Sequence, residues 1–157
     1  MNRGFIVKTA GATALAAATA KTLINLIAGA AAGVQLREIA LAFDGVTASA
    51  VPVLIEVCTS TQAGVGTPGT SPTPAQYKGR VFAAPFTAGE SYSAEPTVLT
   101  PIWHTLVTPN GGTIILPFGV GDEIETDLSS GTVKALAIRA NAPAIVNVRA
   151  AVKAEPL

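Results

Sequence analysis

Apolar and polar positions alternate clearly within residues 34–60. Every second residue from Val51 to Val57 is apolar, and Glu56 is among the residues between them. This period of two residues indicates a half-buried β-strand, because successive side chains of a strand point to opposite faces. We predict that this strand forms a hairpin with the strand before it. Asp44-Gly45 opens the turn, since Gly tolerates positive φ and Asp bonds its own backbone.

The first strand of this predicted hairpin loses its alternation at one point. The apolar residues before Arg37 keep one phase and those after Glu38 keep the other, the two sets being Val34 and Leu36, then Ile39, Leu41 and Phe43. One extra residue near Arg37-Glu38 brings both sets onto the same face of the strand. The pattern therefore predicts a β-bulge at this position.

Shorter apolar segments follow along the chain, separated by Gly, Pro, Asn and Asp. They predict strands near residues 22–27, 78–84, 97–107, 113–116, 123–127, 133–140 and 146–153. Pro101 interrupts one of them, which places that strand at a sheet edge or at a bulge. About eight to ten short strands with regular turns indicate a sandwich or a barrel. We predict an all-β, antiparallel, single-domain fold over residues 21–157, most simply a β-sandwich.

Residues 1–20 are predicted as an extended N-terminal arm, because Phe5-Ile6-Val7 has no obvious place in an eight-stranded sandwich. Two alternatives are open. Residues 13–28 are rich in Ala and Leu, which favour helix. The charged start, the Ala-rich stretch and Ala18-Thr19-Ala20 also resemble a weak secretory signal. The strand interpretation is favoured after residue 20, where apolar residues occupy both phases, as in a strand buried on both faces.

Composition narrows the range of partners. Ten basic and ten acidic residues cancel, and charged residues make up only 13% of the chain. Nucleic acid is a poor partner, since phosphate binding needs clustered Lys and Arg. No uncharged stretch is long and unbroken enough to span a membrane as a helix. So low a charge content suggests instead that other subunits cover part of the surface.

Candidate reactive residues are few. Cys58 and His104 are the single cysteine and histidine, so neither an internal disulfide nor a zinc site is available. A lone histidine in an apolar strand is more often structural or at an interface than catalytic. Four carboxylates cluster at residues 122–127, where strand-face acids more often meet Lys or Arg of a neighbour than a cation. We therefore predict no catalytic, cofactor-binding or metal-binding residue and no enzyme activity.

An ordered series of segments resembles short virion structural proteins of tailed bacteriophages. They are residues 20–26 (AKTLINL), 36–45 (LREIALAFDG), 52–57 (PVLIEV), 61–64 (TQAG), 94–97 (AEPT), Trp103-His104, 109–112 (PNGG), 135–142 (ALAIRANA) and 144–151 (AIVNVRAA). The resemblance implies a jelly-roll-like sandwich that serves as a head decoration or minor capsid (cement) protein. It further implies a homo-oligomer, a trimer by the three-fold sites of capsid lattices, located in the virion and bound to the major capsid protein.

Two segments are the expected contact elements of such a protein. The arm can add a strand to a neighbour's sheet edge. The uncharged, Pro- and Thr-rich loop at residues 61–77 is too long for an ordinary connection, so it is either disordered or held by a partner. The interface residues predicted from them are Phe5, Ile6, Val7, Thr67, Pro68, Pro72 and Pro74. Both segments are expected to be dispensable for folding. The alternative is a glycan-binding or adhesive module, with Trp103 and Tyr92 near its loops.

Overall fold

The computed structural model describes residues 3–29, 32–44, 51–61, 64–109, 112–126 and 133–157. These residues form strands and connecting segments, with no α-helix among them. The strands are β1 (Gly4–Lys8), β2 (Thr13–Leu15), β3 (Ala20–Ala28), β4 (Val34–Asp44), β5 (Val53–Thr61), β6 (Ala75–Lys78), β7 (Phe86–Gly89), β8 (Thr100–Val107), β9 (Gly112–Pro117), β10 (Ile124–Glu125), β11 (Val133–Asn141) and β12 (Val146–Pro156). The all-β prediction is confirmed.

Two antiparallel sheets pack face to face. The first has the order β10-β4-β12-β1-β6, with β9 also paired to β4 and β2 also paired to β12. The second has the order β7-β3-β11-β5-β8. Its central four-strand set, β3-β11-β5-β8, faces β1-β12-β4-β9, which is the strand order of a jelly roll, with antiparallel strands that cross repeatedly between two sheets. The predicted β-sandwich is therefore the observed architecture.

The core lies between the sheets and is built from the inward-facing residues of every long strand. Leu41 of β4, Ile55 of β5 and Ile138 of β11 are completely buried. One aromatic pair lies at each side of the sandwich: Phe5 with Phe86 at 5.6 Å between ring centroids, and Trp103 with Phe118 at 5.2 Å, both edge to face. Each pair joins the two sheets, so aromatic contacts stabilise the packing of the sheets at both sides of the sandwich as well as at its centre.

The predicted bulge on β4 is confirmed. Glu38 is paired with Lys153 and Leu36 with Ala154, so Arg37 is the extra residue of the ladder. The apolar residues on both sides of it consequently face the core, where Leu36 and Ile39 are fully buried. The bulge thus lets one strand keep a continuous apolar face although its sequence changes phase.

Pro101 also lies where the sequence predicts. β8 is an edge strand of the second sheet, and its pairing with β5 shifts so that Val57 meets Trp103 while Cys58 meets Pro101. Proline cannot donate to a ladder, and an edge with a bulge satisfies that restriction.

The predicted hairpin of residues 34–60 is wrong. β4 pairs with β12, β9 and β10, whereas β5 pairs with β11 and β8, so the two strands lie in different sheets. Their alternation is correct, but alternation reports which face is buried and not which strand lies alongside. Gly45 of the predicted turn lies outside the described residues, as do Asn110 and Gly111 of the segment 109–112 (PNGG).

The predicted N-terminal arm is extended, but its separation from the sandwich is wrong, because residues 4–15 belong to the first sheet. β1 lies between β12 and β6, and β2 pairs with the start of β12. Phe5 and Val7 are buried in the core. Between these two strands the Ala10 amide donates to the buried Glu90 carboxylate, at 3.0 and 3.1 Å. The helix alternative for residues 13–28 is wrong as well, since β2 and β3 occupy that stretch.

Residues 64–97 are ordered over much of their length by the chain itself. Thr67 exchanges backbone hydrogen bonds with Ser93 and Ala94, and Thr70 exchanges them with Glu90. Asn25 of β3 donates from its side-chain amide to the Val65 carbonyl at 3.4 Å. This segment therefore covers the outer face of β3, which is buried on both faces as its sequence predicts. The strand predicted at residues 78–84 is displaced to β6, which ends at Lys78.

Candidate contact surfaces

An apolar groove lies between β6 and β7, the strands at the same side of the two sheets. Its volume is about 430 Å³, and its lining includes Phe5, Pro72, Pro74, Phe82, Ala84 and Phe86. The groove thus brings together three of the seven residues predicted as an interface, namely Phe5, Pro72 and Pro74. Volume and lining are those of a site that takes an apolar group, with few polar atoms to orient it.

The side chain of Gln76 shapes one wall of this groove. Its amide nitrogen donates to the carbonyls of Lys78 and Arg80 at 3.0 and 2.7 Å, and its carbonyl oxygen accepts from the Phe82 amide at 2.9 Å. These three bonds fold residues 78–82 back over β6. Phe82 is thereby held at the groove with part of its ring exposed to solvent.

The rim of the groove is basic. The Arg3 guanidinium lies 3.9 Å from the centre of the Phe82 ring, within cation–π distance, and Lys78 and Arg80 are exposed nearby. Arg3 and Arg80 form no ion pair with any carboxylate of the described residues. The Arg3 Nε is buried without a hydrogen-bond partner among those residues. Exposed cations that pair with no carboxylate of the described residues favour an incoming carboxylate at this rim.

The other predicted interface residues lie elsewhere. Val7 is in the core, and Ile6 is half-buried on the outer face of the first sheet. Thr67 and Pro68 lie on the segment tied to residues 90–94, so this part of the loop needs no partner to hold it. Phe82 and Phe86 complete the groove but were not predicted. The only signal for them is two phenylalanines four residues apart, next to the Pro-rich loop.

The aromatic residues behind the glycan-binding alternative are not placed for that role. Tyr92 is buried, and its carbonyl accepts from Lys21 Nζ at 2.8 Å. Trp103 packs against Phe118 at the opposite side of the sandwich from the groove. A sugar-binding platform needs an aromatic face open to solvent beside hydrogen-bonding groups, and these two rings do not form one together.

The candidate reactive residues Cys58 and His104 lie on the neighbouring strands β5 and β8. Cys58 is fully buried, and burial raises the pKa of its thiol, opposed by a hydrogen bond with Arg139. That is the reverse of an activated thiolate. His104 is exposed on β8, directly across from Glu56 of β5. Although β5 and β8 are neighbours, no hydrogen bond joins Cys58 to His104 among the described contacts.

The acidic cluster of residues 122–127 divides among separate partners. Glu123 pairs with Arg37, and Glu125 accepts from the Gln35 side chain at 2.6 Å. The expected pairing of strand-face acids with a basic neighbour is thus confirmed for Glu123. Asp127 lies outside the described residues. Within the parts of the chain that the structure describes, no three His, Cys, Asp or Glu side chains are grouped as they would be to hold a metal ion.

Cys58 and Tyr92 are expected to make stability fall at alkaline pH. Burial raises the pKa of Cys58 above 9.0 and the pKa of Tyr92 above 10.0. The folded protein keeps these two protons at a pH where the unfolded chain has released them. The stabilisation is therefore complete below pH 9.0 and declines as the pH rises through the raised values. Urea unfolding from pH 7 to about pH 10.5 should show a falling midpoint.

The matched control for this pH dependence is the double variant Cys58→Ala, Tyr92→Phe. The Cys58→Ala change should cost about 1 kcal/mol in packing at pH 7. The double variant should then lose less stability than the native chain between pH 9 and about pH 10.5. Equal losses in the two proteins would contradict the assignment to these groups.

Comparisons with protein-family models, with curated proteins and with solved structures return no match for this chain. Among the described residues there is no helix long and apolar enough to cross a membrane.

Proposed function

We propose that this protein is a non-enzymatic virion structural protein of a tailed bacteriophage, a capsid decoration or minor capsid protein. In this role it forms homo-oligomers, trimers by the resemblance, and binds the major capsid protein. The virion is its location, and neither nucleic acid nor membrane is a partner. The observation that carries the proposal is the groove, where predicted contact residues from β1 and from the Pro-rich loop meet at one surface.

The chemistry of the groove defines what the shell must offer. The floor is aromatic, with Phe5 and Phe86 in contact. Arg3 lies at the rim and Arg80 follows next to it, and neither pairs with a carboxylate of the described residues. An extended shell segment with one apolar side chain flanked by carboxylates satisfies both features. The apolar side chain fills the cavity, and the carboxylates take up the guanidinium donors.

The first test is the composition of the particle. Particles of the phage whose genome carries the coding sequence are purified, and their proteins are quantified by mass spectrometry. The chain should be present in a fixed ratio to the major capsid protein. Its absence from particles in which the major capsid protein is readily quantified would reject the proposed function.

The second test addresses the groove directly. Phe82→Asp places a carboxylate at the wall of the cavity and should reduce binding to particles lacking the protein by at least tenfold, through lost apolar contact. Ile145→Asp makes the same kind of change at an exposed position between β11 and β12 and should bind as the native chain does. Binding is measured by co-sedimentation at equal protein concentration. If both variants bind the particles equally well, the groove is not the surface that contacts the shell.

A further inference from the structure

The groove runs along the outer edge of β7. β7 is the last strand of the second sheet, and β3 is its strand partner among the described residues. Just beyond the end of β7, Glu90 and Thr70 exchange two backbone hydrogen bonds, at 2.9 and 3.2 Å. Residues 71–74 then lead away from β7 to β6 in the other sheet. The groove is the space that opens between residues 71–74 and β7, since both line it.

The pairing of Glu90 with Thr70 determines which backbone groups of β7 point into the groove. In an antiparallel ladder a residue directs its amide and its carbonyl to the same side, and the next residue directs both to the other side. Glu90 faces Thr70, so Ala88 and Phe86 direct their amides and carbonyls toward the groove. The residues between them direct theirs toward β3, with which β7 pairs without a register shift.

The opposite wall of the groove does not pair with this edge. A continued antiparallel ladder would set Pro72 opposite Ala88 and Pro74 opposite Phe86, but proline has no N–H to donate. Among the described residues, no backbone hydrogen bond joins residues 71–74 to β7. The sequence of β7, FTAG, contains neither a charge nor a proline, which are the usual devices that protect an edge strand from pairing. The edge is therefore open to another strand.

We propose that the shell segment binds in the groove as an added β-strand, hydrogen-bonded to the backbone of Phe86 and Ala88. The inference rests on the proposed function and deepens it by naming how the major capsid protein is recognised. A helix satisfies its own backbone groups and would leave those of β7 unpaired. An extended segment supplies the matching donors and acceptors, so its main chain contributes affinity.

The side chains around the groove then select the sequence of the added strand. Successive side chains of a strand point to opposite faces, so alternate residues of the segment face the cavity. An apolar side chain on that face meets Phe5 and Phe82, which line the groove. A carboxylate further along the segment meets Arg3, which lies against the Phe82 ring at the rim.

Amide hydrogen exchange of the purified chain, followed by NMR, tests the open edge. The amides of Phe86 and Ala88 should exchange at least about tenfold faster than those of Thr87 and Gly89, which bond to β3. Equal protection of these amides would overturn the proposal. This measurement needs no particles, so its outcome is independent of whether particles contain the protein.

Overlapping synthetic peptides that cover the major capsid protein of the same phage test the binding mode. A peptide that binds should slow amide exchange at Phe86 and Ala88 by at least about tenfold. N-methylation at alternate residues provides matched controls, because it removes N–H groups and keeps the side chains. Methylation in one phase of the peptide should weaken binding at least about tenfold more than methylation in the other phase.

Equal effects of the two methylation phases would show docking through side chains alone and would overturn strand addition. Strand addition would also be overturned if particles contain the chain and none of the peptides binds it, and the proposed function would then stand without it. Absence of the chain from particles, in contrast, rejects the proposed function itself.

Discussion

Replacing Phe5 with alanine is expected to lower the free energy of unfolding by about 3 to 5 kcal/mol. Phe5 lies on β1 with 1% of its surface exposed, and its ring meets Phe86 edge to face at 5.6 Å. The substitution removes an aromatic side chain from the core and also breaks one of the two aromatic pairs that join the sheets. Urea unfolding monitored by circular dichroism measures the loss.

The matched control is Ile6→Ala, one residue further along the same strand. Ile6 faces outward and is only half-buried, so its loss should be under about 1.5 kcal/mol. Equal small losses for both variants would mean that β1 is a dispensable arm after all. By the same reasoning, a chain lacking residues 2–12 is expected not to fold stably, since it lacks β1 and both core residues Phe5 and Val7.

The strand faces could be predicted from the sequence, whereas the strand partners could not. β12 shows why faces are readable: Val146, Val148 and Val152 are buried, while Asn147 and Arg149 are exposed. Which strands pair depends on connections that pass from one sheet to the other. No local pattern of residues shows whether a connection stays in one sheet or passes to the other. β4 lies in the first sheet and β5 in the second. The turn signal at Asp44-Gly45 is the same for such a crossing as for a hairpin, so the sequence does not distinguish the two.

The N-terminal strand illustrates a signal that was present but incomplete. Phe5 and Val7 share a phase, with Ile6 and Lys8 in the other, which is the pattern of a half-buried strand. Its short length and the apolar Ile6 conceal the alternation. The neighbours that give β1 its place are β12 and β6. One of them is more than 100 residues away, so the burial of Phe5 depends on tertiary pairing.

The groove could be predicted only in part for the same reason. Pro72 and Pro74 are recognisable as surface residues of an uncharged loop, and they do line the groove. Their convergence with Phe5 and Phe82 results from the meeting of two sheet edges and from the hydrogen bonds of Gln76. Neither the meeting of the sheet edges nor the hydrogen bonds of Gln76 can be predicted from a single segment of sequence.

The second large effect on stability is expected from replacing Arg37, the extra residue of the β4 bulge. Its charged side chain lies in a mostly buried site. Arg37 donates from Nε and from one terminal nitrogen to Glu155 Oε2, at 3.1 and 3.0 Å, and from the other to Glu123. The side chains are 19% exposed for Arg37 and 8% for Glu155. A single guanidinium therefore ties β4 to β12 and to the segment before β10.

Arg37→Met should lower the free energy of unfolding by about 3 kcal/mol, because it leaves two largely buried carboxylates without their shared cation. Lys78 lies 3.8 Å from Glu155 but is half exposed, so its compensation is weak. The control is Lys153→Met, which removes the cation of the Lys153–Glu38 pair beside the same bulge. That lysine is 37% exposed, and its loss should cost under about 1 kcal/mol.

A double variant separates the unpaired charge from the loss of packing. Adding Glu155→Gln to Arg37→Met removes one of the two stranded carboxylates, and it should restore part of the lost stability relative to Arg37→Met alone. The same Glu155→Gln change in the native chain should be destabilising, since there it weakens two charge-assisted bonds. Opposite signs in the two backgrounds are the expected result. Destabilisation by Glu155→Gln in both would show that Arg37 acts through its methylene stem and the geometry of the bulge, and not through its charge.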